Sequence, residues 1–265
     1  MGLFQKLEKY CLAAVKLKSP NLQGLPIIPK SMLNPAPHNR ESYNQFVLWI
    51  HRLGLDKADC ILDVGANHGD FSMAATRCFP QANVVLFEPL PALQAALQRR
   101  CEQSGGRWTL APIALGRRRG ETQIHFATAQ DGIGSLLGFS PEYRAQNPGI
   151  GAVYTLQCTV ETLDDLAMEK EWRRIDLLKI DVEGFEAEVT AGGRAALRMT
   201  QGLILEISLV RNWENALGHF REIINTVVDA GLCPVALIPS WFSREEPGRP
   251  LEFNLLARRF APLNL

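Results

Sequence analysis

The feature of this sequence that most restricts its fold is a regular alternation of short apolar runs with amphipathic segments. The alternation begins near Arg40, where Phe46, Val47 and Ile50 open a helical pattern that Gly54 ends. Strands are predicted over 60–64, 84–88, 108–115, 121–127, 175–182 and 202–208, and helices over 69–79, 91–102, 185–197 and 214–230. Such an alternation predicts an α/β domain with a mostly parallel, doubly wound sheet covered on both faces.

The last part of the chain departs from this alternation. Two strand patterns, over 233–238 and 251–257, have no helix between them, only a loop rich in proline, glycine and serine. Strands joined in this way pair antiparallel. The sequence therefore predicts a doubly wound sheet that ends in an antiparallel C-terminal hairpin.

Composition excludes several classes of protein. The 265 residues carry 28 basic and 28 acidic side chains, so the basic excess of a protein that grips a nucleic-acid backbone is absent. No apolar run reaches the roughly 18 residues that cross a bilayer. The six cysteines form no C-x-x-C pair and are typical of buried thiols in a reducing compartment. We expect a cytoplasmic protein that does not bind nucleic acid.

The first 39 residues differ from the remainder of the chain. Leu3, Leu7 and Cys11 recur at helical spacing, and lysines fall mostly elsewhere, which predicts an amphipathic helix over 1–18. Five prolines between positions 20 and 37 then indicate an extended linker. We expect the helix to pack on the main domain, over 40–265, or on a second subunit in a homo-oligomer, with contact to an anionic membrane surface as the alternative.

The strongest local motif is DVGANHGDFS, at positions 63–72, between a predicted strand and a predicted helix. Gly65 allows a sharp reversal and the approach of a ligand to bare backbone, and Gly69 allows close packing of helix and strand. Asn67 is among the few residues that tolerate a positive φ. A loop of this kind is shared by many nucleotide-binding domains.

Glu88 ends the next predicted strand, 19 residues after Gly69, where a carboxylate can accept hydrogen bonds from both hydroxyls of a ribose. The loop and Glu88 together predict an adenosine-containing cofactor, which is either a nicotinamide dinucleotide or S-adenosylmethionine. The loop lacks the full G-x-G-x-x-G pattern, and Asp70 at the helix start would repel a diphosphate. Asp63 and Asp70 suit a cationic sulfonium better, which favours S-adenosylmethionine.

Three ordered segments carry a resemblance to a known family. They are DVGANHGDFS, FEPLP at 87–91 and LKIDVEGFE at 178–186, with support from SLL at 135–137 and TVETLDDL at 159–166. Together they resemble the FkbM-type methyltransferases over roughly residues 58–258. The resemblance implies the seven-stranded Rossmann-like methyltransferase fold, S-adenosylmethionine as cofactor and O-methylation of natural products or sugars. The implied cofactor-binding residues are Asp63, Gly65, Asn67, Gly69, Glu88 and Pro89.

The segment IDVEG places candidate catalytic residues at the carboxyl end of a central strand, where open α/β sheets bind ligands. We expect Asp181 to take the proton of a hydroxyl acceptor or to orient the acceptor, with Glu183 and Lys179 beside it. The alternative is structural: an ion pair between Lys179 and Asp181, and Glu183 as a cap of the next helix. No Asn/Asp-Pro-Pro-aromatic segment of the nucleic-acid amino-methyltransferases follows this strand.

A metal-assisted mechanism would use Asp181 and Glu206 as hard oxygen ligands. No second carboxylate or asparagine follows Glu206 before Asn212, so we predict no required metal. The acceptor stays open between a sugar hydroxyl, a polyketide hydroxyl and a peptide carboxylate, because the region 128–158 is the least typical part of the chain. A nicotinamide-dependent oxidoreductase and an inactive cofactor-binding partner protein are the alternative functions.

Overall fold

The structure, a computed structural model, describes residues 37–127, 134–139, 141–147, 149–209 and 216–261. The predicted N-terminal helix and nearly all of its linker lie outside the described residues. The first described helix is α1, Arg40–Leu53, at the place where the sequence predicts a helical pattern. Its N-cap Asn39 accepts hydrogen bonds from the amides of Glu41 and Ser42. Gly54 ends the helix in the left-handed conformation, with a φ of 63°.

The strands of the described chain form two sheets. In chain order they are β1 (Cys60–Val64), β2 (Asn83–Phe87), β3 (Trp108–Ala111), β4 (Ala114–Leu115), β5 (Gly120–Ala127), β6 (Gly134–Ser135), β7 (Val153–Glu161), β8 (Ile175–Ile180), β9 (Thr200–Ser208), β10 (Cys233–Phe242) and β11 (Pro250–Arg258). The main sheet has seven strands in the order β10-β11-β9-β8-β1-β2-β3. Its strands run parallel except β11, which pairs antiparallel with both β9 and β10. The predicted parallel sheet and C-terminal hairpin are confirmed.

Every helical segment predicted within the described residues contains a helix, and two helices, Pro141–Gln146 and Leu163–Glu169, were not predicted. The helices of the described chain begin with α1. After α1 they are α2 (Asp70–Cys78), α3 (Pro91–Gln103), α4 (Pro141–Gln146), α5 (Leu163–Glu169), α6 (Glu186–Ala191), α7 (Arg194–Met199) and α8 (Ala216–Asp229). The predicted single helix over 185–197 is wrong, because the chain breaks at Gly192 and Gly193. A Cβ on Gly192 would lie 2.0 Å from the carbonyl oxygen of Gly116, so this position must stay bare.

A second, four-stranded sheet in the order β4-β7-β5-β6 was not predicted. The expected strand over 108–115 divides at Pro112, which has no N–H to donate to a ladder. Its first half joins the edge of the main sheet and its second half joins the small sheet. The predicted strand over 121–127 also belongs to the small sheet, where it pairs with β7 and β6.

The topology places one crevice at the middle of the main sheet. On one side of β1 the sheet continues with β2 and then β3. On the other side it continues with β8 and then β9. The loops after β1 and β8 therefore diverge at the carboxyl edge, which is where doubly wound sheets bind ligands. Every residue of β8 is buried. Among the described helices, none is long and apolar enough to span a membrane.

Candidate active site

The crevice between β1 and β8 opens into a cleft of about 580 Å³, counting the solvent at its mouth. Six of the predicted site residues line the cleft: Gly65, Asn67, Glu88, Pro89, Asp181 and Glu183. The small sheet adds Ile124 and Gly134 on the opposite side. Asp63, Gly69 and Lys179 are not among the lining residues.

The glycine-containing loop adopts the backbone conformations that its residues predict. Gly65 has a φ of 74° and Asn67 a φ of 50°, both in the left-handed region. The amides of Gly65 and Ala66 both donate to the carbonyl oxygen of Phe87, which fixes the loop against the end of β2. Gly69 has a φ of 80°, and a Cβ there would lie 3.2 Å from the Leu97 side chain, so Gly69 lets the loop pack on helix α3.

Glu88 joins the loops that follow β1 and β2. Its Oε2 accepts a hydrogen bond of 2.8 Å from the Asn67 amide, and its Oε1 accepts one of 3.0 Å from the Leu90 amide. Burial raises the pKa of Glu88, against the opposing effect of these two amide donors. Each oxygen has a second lone pair, so the carboxylate can still accept hydrogen bonds from a ligand in the cleft.

Lys179 lies beneath the loop and not in the cleft. Its Nζ donates to the carbonyl oxygen of Gly65 at 2.6 Å and lies 3.3 Å from Asp181 Oδ2 and 3.5 Å from Asp63 Oδ1. Burial alone would lower the pKa of Lys179, but the charges of Asp181 and Asp63 outweigh it and raise that pKa. The ion pair between Lys179 and Asp181, which the sequence left as an alternative, is present.

Asp63 is fully buried and accepts a hydrogen bond of 2.6 Å from Ser72 Oγ. It therefore supports the loop from below, and its expected contact with the cofactor is not supported by the geometry. Asp70 is also engaged elsewhere, because its carboxylate accepts from the amides of His38 and Asn39 at 2.7 and 2.6 Å. The expectation that Asp70 suits the sulfonium is corrected: it ties the start of α1 to the start of α2.

The turn after β8 is held by a carboxylate that the sequence analysis missed. Glu186 Oε1 accepts hydrogen bonds from the amides of Val182 and Gly184, at 2.9 and 2.8 Å. The turn contains Glu183 and Gly184 at φ values of 55° and 101°. Burial raises the pKa of Glu186 to about 7, against these amide donors. The position of Glu186 in the first turn of a predicted helix can be seen in the sequence, and an acidic residue is favourable there. Its two hydrogen bonds to the preceding turn cannot be seen in the sequence.

The small sheet is tied to the same turn. Ser135 Oγ donates to the carbonyl oxygen of Glu183 at 2.8 Å and accepts from the Leu137 amide at 3.1 Å. The SLL segment that supported the family resemblance therefore lies against the IDVEG segment. Asp181 and Glu183 both line the cleft, as do Glu88 and the glycine-containing loop.

A group of carboxylates lies behind this turn. Asp181, Glu186 and Glu206 each offer an oxygen, and these oxygens lie within 4.8 Å of one another. Burial, together with the charges of Asp181 and Glu252, raises the pKa of Glu206 well above its ordinary value. One oxygen of Glu186 is already engaged by the amides of Val182 and Gly184. The absence of a required metal stays a prediction.

The strand order defines the class of protein. Strand β11 lies between β9 and β10 and is antiparallel to both, in a sheet that is otherwise parallel. Rossmann-like methyltransferases have this arrangement. A crystal structure of methyltransferase FkbM from Methylobacillus flagellatus KT matches this fold with a TM-score of 0.51 and 16% identity, over 83% of this chain and 50% of that chain. The fold class expected from the sequence is therefore confirmed.

Residues 63–231, more than half of the chain, match the family model described as the methyltransferase FkbM domain. The chain belongs to this family of methyltransferases, as the three sequence segments indicated.

Curated relatives agree with this assignment. The 2-O-methyltransferase NoeI of Sinorhizobium fredii is 31% identical over 62% of this chain and 69% of its own length. The hexuronic acid methyltransferase AglP of Haloferax volcanii is 29% identical over 59% of this chain and 60% of its own length. The 31-O-demethyl-FK506 methyltransferase FkbM of Streptomyces tacrolimicus is 28% identical, over 58% and 66% respectively.

Proposed function

We propose that this protein is an S-adenosylmethionine-dependent O-methyltransferase that acts on the hydroxyl group of a small-molecule, natural-product or glycan acceptor. The observation that carries the proposal is the joint presence in one cleft of the glycine-containing loop, Glu88 and the carboxylates of Asp181 and Glu183. The names of the relatives, which include a 2-O-methyltransferase and a hexuronic acid methyltransferase, support this acceptor class. A role in natural-product biosynthesis and a cytoplasmic location belong to the same proposal.

The residues present fit the cofactor better than they fit a dinucleotide. Glu88, Asp181 and Glu183 make the cleft lining acidic, which favours a cation and hydroxyl groups and disfavours a diphosphate. Glu88 would bind the ribose hydroxyls, and the loop at Gly65 and Asn67, which lines the cleft, would lie against the methionine part. When bound, S-adenosylmethionine supplies an activated methyl group for an in-line displacement.

The task left to the protein is to align the acceptor and to remove its proton. Asp181 lines the cleft, and 30% of its side chain is accessible. Lys179 holds Oδ2 of Asp181, so the other carboxylate oxygen is the candidate acceptor of the hydroxyl proton. Glu183, on the same turn, also lines the cleft, and its proposed role is to orient the acceptor.

Titration calorimetry tests the cofactor assignment directly. We expect S-adenosylhomocysteine to bind the folded protein and NADH not to bind. Transfer of labelled methyl groups to a panel of hydroxyl acceptors, with and without EDTA, then tests the reaction and the prediction of no required metal. A folded protein that binds NADH and not S-adenosylhomocysteine contradicts the proposal, whereas cofactor binding with no transfer to any hydroxyl or carboxylate acceptor favours the inactive partner protein.

A further inference from the structure

One peptide unit in the turn after β8 is held at both ends. This turn carries Asp181 and Glu183, which both line the cleft. The carbonyl oxygen of Glu183 accepts a hydrogen bond of 2.8 Å from Ser135 Oγ. The amide of the same peptide unit, that of Gly184, donates a hydrogen bond of 2.8 Å to Glu186 Oε1. A trans peptide points its carbonyl and its amide in opposite directions, so the two contacts together fix its orientation.

The two residues that flank this peptide do not fix it by themselves. Glu183 has a φ of 55°, which a residue other than glycine rarely adopts. Gly184 has a φ of 101° and no Cβ that would prevent the peptide from rotating to the opposite orientation. Such a rotation would turn the carbonyl oxygen of Glu183 toward the Glu186 carboxylate, which is also an acceptor. It would also change the ψ of Glu183, a residue that lines the cleft.

Ser135 comes from a different part of the fold. It lies on β6, at the edge of the small sheet, and is 2% exposed. Its oxygen accepts a hydrogen bond of 3.1 Å from the Leu137 amide, and its single proton is donated to the turn after β8. The preceding residue, Gly134, lines the cleft, and a Cβ there would lie 2.7 Å from Leu90 Cδ1. Because the Leu90 amide donates to Glu88, β6 contacts both the Glu88 side of the cleft and the turn after β8.

We propose that Ser135 is a positioning residue of this enzyme. Its hydroxyl holds the peptide between Glu183 and Gly184 in the orientation that sets Asp181 and Glu183 for binding the acceptor and removing its proton. The small sheet therefore takes part in catalysis through this hydrogen bond, in addition to lining the cleft. This inference rests on the proposed O-methyltransferase activity and adds a residue that acts on the catalytic groups from a remote segment of the chain.

Four variants separate this role from a purely structural one. Ser135→Ala removes the hydroxyl. Ser104→Ala is the matched control, because Ser104 Oγ likewise donates to a carbonyl, that of Cys101 at 2.6 Å, and accepts from an amide, that of Trp108 at 2.9 Å. Ser104 lies between α3 and β3 and is not one of the residues that line the cleft. Ser135→Thr and Ser135→Val add side chains of nearly equal shape, and only threonine keeps a hydroxyl.

The first measurement is the hydrogen exchange of single backbone amides by NMR spectroscopy, which needs no acceptor. The Gly184 amide is buried and bonded to Glu186, and Leu178, in the fully buried strand β8, reports on the core. In Ser135→Ala and Ser135→Val we expect Gly184 to exchange at least about tenfold faster relative to Leu178 than in the parent, because the peptide rotates more often. In Ser104→Ala and Ser135→Thr this ratio should stay within about threefold of the parent.

The second measurement is methyl transfer from S-adenosylmethionine to the hydroxyl acceptor that the parent methylates fastest in the panel described above. We expect kcat to fall about five- to a hundredfold in Ser135→Ala and Ser135→Val, the rate equivalent of one lost buried hydrogen bond. The KM for S-adenosylmethionine and the affinity for S-adenosylhomocysteine should change less than about threefold. Ser135→Thr should keep a kcat at least about fivefold above that of Ser135→Val. Ser104→Ala should keep the parent kcat, whatever its thermal unfolding temperature.

Three results overturn the inference while the proposed function stands. They are equal kcat values for Ser135→Thr and Ser135→Val, a relative exchange of Gly184 that is the same in Ser135→Ala and Ser104→Ala, and a fall of kcat that is as large in Ser104→Ala as in Ser135→Ala. Failure of the parent to bind S-adenosylhomocysteine or to methylate any hydroxyl is a different result, because it overturns the proposed function itself. The exchange of Gly184 then still decides whether Ser135 fixes the peptide.

Discussion

The carbonyl oxygen of Asp181 occupies the space that a side chain on Gly65 would need. A Cβ built on Gly65 would lie 1.9 Å from that oxygen, and the Asp181 amide donates to the carbonyl of Val64, immediately before Gly65, at 3.1 Å. The loop after β1 and the turn after β8 are therefore in direct backbone contact. The residues expected to bind the cofactor and the residue expected to take the proton cannot move independently.

Gly65→Ala should destabilise the protein far more than a glycine substitution that only strains the backbone. The matched control is Gly106→Ala, where φ is 83° and no atom lies within 4 Å of the new Cβ. We expect the control to cost about 1–2 kcal/mol of unfolding free energy, and Gly65→Ala about 3 kcal/mol or more because of the added clash. Urea unfolding of both variants measures the difference. Equal losses would mean that the contact with Asp181 relaxes freely.

Glu88→Ala should weaken the binding of S-adenosylmethionine by about 1.5–3 kcal/mol, the scale of a lost charged acceptor. Isothermal calorimetry measures this effect, and Glu102→Ala removes an exposed carboxylate from the following helix as a control. Because Glu88 also accepts from the amides of Asn67 and Leu90, Glu88→Gln is needed to retain part of the loop contact. Unchanged affinity in a folded Glu88→Ala variant would refute the ribose assignment.

Asp181→Asn should lower the methyl-transfer rate on a hydroxyl acceptor by about 10²–10⁴, the usual effect of a positioned base. The affinity for S-adenosylmethionine should change little, because the carboxylate acts mainly in the transition state. The rate is measured above the half-saturating acceptor concentration, with the exposed Asp229→Asn as the control. A rate within about threefold of the parent would leave Asp181 a structural or orienting residue.

Lys179→Met should destabilise the fold, because it leaves the fully buried Asp63 without its counter-charge. We expect a loss of about 3–5 kcal/mol in unfolding free energy. The double variant Asp63→Asn with Lys179→Met should lose less than the single variant, since no buried charge is then left alone. Chemical denaturation of the parent, both single variants and the double variant measures this coupling. Additive losses would show that the two side chains do not stabilise each other.

Glu186 should make stability depend on pH in the neutral range. Burial raises its pKa from an ordinary 4.5 to about 7, so the folded protein holds a proton that the unfolded chain releases. The stabilising effect is complete below about pH 4.5 and is lost as the pH rises through about 7. The total is about 3 kcal/mol, from about 1.4 kcal/mol per pKa unit.

Glu186→Gln keeps an oxygen acceptor for the amides of Val182 and Gly184 but cannot titrate. The difference in unfolding free energy between the parent and this variant should therefore fall by about 2–3 kcal/mol between pH 4.5 and 8. Urea unfolding at a series of pH values gives that difference. A parallel pH dependence of the two proteins would rule out Glu186 as the titrating group.

Features that depend on neighbouring residues could be predicted from the amino-acid sequence. Apolar periodicity and turn residues predicted the main sheet, the C-terminal hairpin and most of the helices, but not the break at Gly192 and Gly193. The positive φ of Asn67 followed from the tolerance of its side chain for that conformation, and the place of Glu88 at the cleft followed from its position just after a buried strand.

Contacts between distant parts of the chain were decided only by the tertiary structure. Lys179 and Asp181 were both expected at the catalytic end of their strand, yet Lys179 is buried under Gly65, 114 residues away, while Asp181 reaches the cleft. Glu186 was missed because its hydrogen bonds to the amides of Val182 and Gly184 form only when the preceding turn has folded. The small sheet was also missed, because the pairing partners of a strand and the side it faces depend on packing between remote segments, which no local pattern encodes.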